Sequence, residues 1–177
     1  MRIQTILIGL SCCAFTGALA FAQATAAADN GQKFVDMAAQ TDMTEAHLGQ
    51  LAADQASAQD VKDFAQMLVT DHTNDYTQLT AAATKAGLTV PKGLDAQHDK
   101  MIAPFEKLKG AAFDRRFARE MVMGHEKAIA AYKKEAENGQ NADIKAYASQ
   151  ALPTLEKHLQ AAQDLEKHKP ASKTAAP

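Results

Sequence analysis

Glu45, His72, His125 and His158 each interrupt an otherwise apolar helical stripe. Glu45 falls in the line Phe34, Ala38, Thr41, Glu45, Leu48, Ala52, and His72 in the line Val61, Phe64, Leu68, His72, Tyr76, Leu79, Ala83. His125 follows Phe113, Phe117 and Met121 and precedes Ala128, Ile129, Tyr132 and Ala136, while His158 lies among Ile144, Ala148, Ala151, Leu155, Ala162 and Leu165. Each interruption sits near the middle of its segment. Antiparallel packing brings such midpoints to one level, so the four side chains are expected to meet in one buried layer.

A buried neutral imidazole must find partners for its ring nitrogens or bear the desolvation penalty. Two arrangements satisfy three imidazoles and a carboxylate. A metal ion is one: three nitrogens and an oxygen suit zinc, and also copper, iron or manganese. The other is a hydrogen-bonded network in which Glu45 accepts from the imidazoles and from a buried water. Tyr76 and Tyr132, on similar faces, could supply outer donors to either. No two of these residues share the short spacing of an established metal motif, so the pattern rests on their placement alone.

The remaining titratable residues read as surface. His47 lies on another face from Glu45, His98 in a connecting segment, and His168 near the C-terminus. Asp71, Asp75, Glu120, Glu126 and Glu156 flank the layer on faces assigned to solvent or to helix seams, Asp71 being able to bridge to a neighbouring helix. Met37, Met43, Met67, Met101, Met121 and Met123 are scattered without a paired stripe and read as core filler, although Met121, one turn before His125, would favour soft copper. No Gly-rich phosphate loop, nucleophile elbow or paired-histidine zinc motif is present, so catalysis has no sequence signature here.

Four long helices must hold this layer. The first is expected over about 32–54, capped by Asp29 or Asn30. The second runs from a Ser57–Asp60 capping box to Ala86, with Gly87 ending it. The third spans about 112–137, and an Asn-Gly turn leads into the fourth, about 143–167, capped by Asn141. Pro153, lacking an N–H, is expected to kink the fourth helix one turn before His158. Residues 88–110 form a long crossover: an extended start, then a short helix disturbed by Pro104, with Leu94, His98, Met101, Phe105 and Leu108 at helical spacing, and a reset at Gly110. Short, long and short connections define an all-α, ferritin-like four-helix bundle with the crossover between its second and third helices.

Residues 1–24 have the form of a cleaved secretory signal: Arg2, an apolar run, and small-x-small sites at Ala20–Ala22 and Ala22–Ala24. The implied location is the periplasm. Residues 25–31 read as a flexible N-terminus, residues 32–167 as the bundle, and residues 168–177 as a disordered tail. Cys12 and Cys13 both precede the cleavage sites, so the mature chain would have neither disulfides nor thiolate ligands. Loss of Arg2 takes the formal net charge from −2 to −3. Mixed exposed charge without a basic block argues against nucleic acid, suits a monomer, and leaves no membrane span in the mature chain.

The stretches "VKDFAQMLVTDHTNDYTQL" (61–79), "FDRRFAREMVMGHEKAI" (113–129) and "LPTLEKHLQAAQDL" (152–165), in this order, resemble a bacterial family of secreted ferritin-like proteins of unknown function, often labelled outer-membrane or exported proteins. The resemblance covers nearly all the mature chain and implies a periplasmic four-helix bundle. The wider ferritin-like superfamily includes di-iron enzymes that use Glu-x-x-His pairs. This chain departs from that pattern, with Val69 three residues before His72 and Leu155 three before His158, which leaves Glu45 the lone core carboxylate.

These readings admit three functions. One is a periplasmic protein binding a single zinc, copper or iron ion at Glu45, His72, His125 and His158. A second is a non-catalytic envelope stress or protein-interaction module whose buried polar layer fixes helix register. The third, an oxygen- or peroxide-reacting enzyme, is disfavoured by the missing carboxylates.

Overall fold

A computed structural model describes residues 16–167. Five α-helices follow in order: α1 (Thr16–Gln55), α2 (Gln59–Lys85), α3 (Ala96–Ile102), α4 (Ala111–Asn138) and α5 (Ala142–Lys167), with a 3-10 turn at Phe105–Lys107. α1 and α2 form one antiparallel hairpin and α4 and α5 the other; α2 packs on α5 and α1 on α4. α3 and the 3-10 turn form the crossover. This is the ferritin-like arrangement expected from the loop lengths. The proposed signal cleavage sites and flexible N-terminus fall where α1 is already helical, so Asp29 and Asn30 are inside that helix rather than capping it. The disordered-tail reading of residues 168–177 lies outside the described residues, as does the front of the signal segment.

Local chemistry sets the other helix ends. α2 stops in a Schellman motif: Gly87 (φ 69°) and Leu88 donate their N–H groups to the carbonyls of Thr84 and Ala83. Leu88 then folds back onto the core. Asn141 Oδ1 accepts from the N–H groups of Asp143 and Ile144 and caps α5 as expected. Pro153 lies on the exposed face of α5, which continues through it as one helix. Gly49 lets α1 approach α2 closely, since a Cβ there would meet Val69 Cγ2 at 2.7 Å and the Ala65 carbonyl oxygen at 2.8 Å.

The start of α2 differs from expectation. Ser57 and Asp60 form no capping box. The buried carboxylate of Asp114, in the first turn of α4, caps α2 from across the bundle. Its Oδ1 accepts from Ser57 N (3.0 Å), and its Oδ2 from Ala58 N (3.1 Å) and from the Ser57 hydroxyl. A tertiary acceptor that is charged and desolvated outcompetes a local one, because charged hydrogen bonds are the stronger kind. Asp114→Ala would strand three donors. Denaturant unfolding of the variant is expected to show a loss of about 2–3 kcal/mol.

The interior divides into two apolar halves. One gathers Phe34, Leu79, Ile129, Tyr132, Ile144 and Leu155. The other gathers Leu48, Phe64, Leu68, Phe113, Phe117 and Met121, with Ile102 and Phe105 contributed by the crossover. Burial of Phe105 explains why the irregular segment around Pro104 stays docked: its ring packs on Phe113 and lies under the Arg116 guanidinium at 5.0 Å. The polar layer sits where the two halves join.

Candidate metal centre

α1, α2, α4 and α5 each carry one of the four anticipated side chains to that join. Glu45 is 4 % exposed, His72 2 %, His125 0 % and His158 1 %. The imidazole rings lie with centroids 5.8 Å (His72–His125), 5.3 Å (His72–His158) and 5.3 Å (His125–His158) apart. One nitrogen from each ring falls within 4.8 Å of the others, close enough to share an ion.

The other nitrogen of each ring is tied down. His72 Nδ1 lies 2.9 Å from Asp42 Oδ1, His125 Nδ1 2.9 Å from the Met121 carbonyl oxygen, and His158 Nε2 2.9 Å from Asp71 Oδ2. Each acceptor holds an N–H and thereby directs the remaining nitrogen inward. Those inward atoms, His72 Nε2, His125 Nε2 and His158 Nδ1, are buried without a hydrogen bond, as is Glu45 Oε2. Glu45 Oε2 is nevertheless 2.9 Å from His72 Nε2 and 3.3 Å from His125 Nε2. These are ion-pair distances whose direction misses the line of an N–H bond. Three ring nitrogens that face one another, with Glu45 Oε2 beside two of them, leave hydrogen-bonding capacity unused in a buried cluster consistent with a cation site, and the outer oxygens are the orienting partners such ligands require. Three imidazole nitrogens and one carboxylate oxygen fit a transition-metal ion.

The electrostatics agree with that shape. Burial opposes charge on His72, but the carboxylates of Glu45 and Asp42 outweigh it and push the ring up to about 10. Burial likewise opposes the Glu45 anion, yet His125 and His72 hold its carboxyl below the usual range. Burial raises Asp42 to about 7 against the pull of His72. His158 goes the other way: burial, with only partial help from Asp71, takes it down to about 4 and keeps it neutral. In the metal-free layer positive charge is thus favoured on His72, which lies between Glu45 and Asp42, and disfavoured on the neighbouring His158. A cation replaces that charge in kind.

Sequence reasoning placed these four side chains but not their supports. Thr41, assigned to the core line of α1, is only half-buried; Asp42 takes the inward place, 1 % exposed, because His72 rewards a carboxylate there. The signal available was its spacing, one turn before Glu45. Asp71, read as surface or seam, does bridge to α5 by holding His158, while remaining 31 % exposed. Tyr76 turns away from the layer and donates to the Pro91 carbonyl at 2.6 Å, pinning the crossover instead. Tyr132 joins a neighbouring chain of bonds: its hydroxyl lies 3.1 Å from that of Tyr147, which donates to Asp75 at 2.7 Å. Asp75, deprived of water, is raised above the usual carboxylate range despite that bond.

Comparison with known proteins fits this architecture. A solved structure described as "CopM in the Cu(II)-bound form" superimposes with a TM-score of 0.64 over 77 % of this chain and 95 % of that one, at 15 % sequence identity. At that identity the likeness speaks for the fold. No curated protein matches the chain. Residues 16–165 match the profile of the domain of unknown function DUF4142, and the chain belongs to that family.

Proposed function

We propose that this protein binds one transition-metal ion, copper foremost, between Glu45, His72, His125 and His158, and that it does so in the periplasm as a carrier or buffer rather than a catalyst. The observation that supports it most is the set of four inward-facing buried atoms without hydrogen bonds, three of them on rings whose other nitrogen is anchored to a protein oxygen. Copper leads because a nitrogen-rich site ranks Cu(II) above the other divalent ions of the first row. The similarly folded protein described in its Cu(II)-bound form is in keeping with that order. The periplasmic reading rests on the signal-like N-terminal segment, and no helix among the described residues is long and apolar enough to cross a membrane.

The test is elemental analysis of untagged protein purified without chelator, beside a His72→Ala, His125→Ala, His158→Ala variant. Near-stoichiometric copper in the parent and none in the variant is the expected result. A parent that stays empty after exposure to copper, zinc and iron in turn would sink the metal reading. The layer would then be a device for fixing helix register, and the search would move to an envelope protein partner.

A further inference from the structure

Glu45 has a second oxygen, Oε1, on the side of Gly124. A groove of about 400 Å³ runs along the seam between α1 and α4, under the crossover, and reaches Glu45 at its floor. Gly124 keeps that floor open: a Cβ there would stand 3.3 Å from Glu45 Oε1. The opposite seam, between α2 and α5 over His158, holds a space of only about 10 Å³. The groove is thus the wider of these two approaches to the layer.

Its lining is chemically biased. Met37 on α1, Met101 on α3 and the buried Met121 on α4 line it together with Glu120 and Lys127, and His98 of the crossover stands at it with Nδ1 anchored 2.8 Å from Asp95 Oδ1. This repeats the pattern of the inner layer, where a carboxylate holds one nitrogen and leaves the other for a ligand. Thioethers are soft donors that favour Cu(I) over harder ions. The methionines were scattered in the sequence and read as core filler, Met121 with a leaning to soft copper, and His98 as a crossover residue; the crossover and the α1–α4 seam bring them together.

Resting on the proposed metal function, we infer that the α1–α4 groove is the loading route of the site, admitting copper as Cu(I) past His98 and the three methionines and delivering it to Glu45 Oε1. Transfer proceeds by ligand exchange, with no change in oxidation state, so the layer first holds Cu(I); Cu(II) forms there only when an external one-electron acceptor such as dioxygen oxidises it. Imidazole nitrogens accept copper at the end of that path.

Loading rates separate the route from the site. Cu(I), supplied anaerobically, and Zn(II) would be mixed with metal-free protein and uptake followed in time, with final stoichiometry measured separately. Ala131→Phe, which puts a ring into the groove wall, is expected to slow both ions by about tenfold or more without changing the final stoichiometry. His98→Ala combined with Met101→Leu, both on the crossover, should slow Cu(I) more than Zn(II), since both ions take the imidazole but the thioether favours Cu(I). Thr154→Phe at the opposite seam should change neither rate. Unchanged Cu(I) loading in both groove variants, or slowing by Thr154→Phe alone, would overturn the route while leaving the site intact. A parent that takes up neither ion at equilibrium overturns the site and the route together. If Ala131→Phe fails to fold, the crossover pair still decides.

Discussion

Saturating copper is expected to raise the midpoint of thermal unfolding by about 8–16 °C. The size follows from linkage. An ion at a thousandfold excess over its dissociation constant stabilises the folded chain by about 4 kcal/mol, and a domain of this size gains roughly 2–4 °C per kcal/mol. The donor atoms come from four helices, so the unfolded chain cannot assemble them and little binding to that state offsets the gain. Addition of chelator should return the midpoint to its metal-free value. The His72→Ala, His125→Ala, His158→Ala variant should show no shift at any copper concentration. A shift that persists in the variant would place the ion on the surface, His47 and His98 being the obvious alternatives. No shift in the parent would agree with an empty site.

The inner layer could be read from sequence because each of its members breaks a stripe that is otherwise apolar. A histidine at the centre of Phe64, Leu68, Leu79 and Ala83 has no wet side to turn to, whatever the details of packing. The supports could not be read in the same way. Thr41 and Asp42 lie three and four residues from Ala38 and compete for the same inward place; only the position of His72 on the neighbouring helix decides between them. Asp71 is displaced about a third of a turn from His72, a direction that is solvent on an isolated helix and a seam once α5 docks. Asp114 illustrates the limit most plainly, since it caps a helix 57 residues away in sequence and nothing local announces it. Spacing along one helix was legible; pairings between helices were not.

The second large effect distinguishes a site kept for binding from one kept for folding. Replacing Asp42, Glu45, His72, His125 and His158 together by leucine is expected to abolish metal uptake and to raise the stability of the metal-free protein by about 1–4 kcal/mol. The reason is that the layer joins two apolar halves whose packing it interrupts. It buries His72 between two acidic side chains, and it leaves four buried polar atoms without hydrogen bonds, each of which forfeits part of its hydration. Leucine fills similar volume without that penalty. Removing one partner alone should do the reverse. Glu45→Leu leaves His72 with Asp42 as its one carboxyl partner and is expected to lower stability by about 1–3 kcal/mol. Denaturant unfolding of the metal-free forms measures both changes on one scale. If the five-residue variant gains stability and stays a monomeric bundle by sedimentation, the polar layer does not specify the fold, and binding is the selective reason for its presence. If it associates, loses its cooperative transition or becomes less stable than the parent, the histidines are fixing helix register, and that outcome would count against the metal site even where copper can be forced into it.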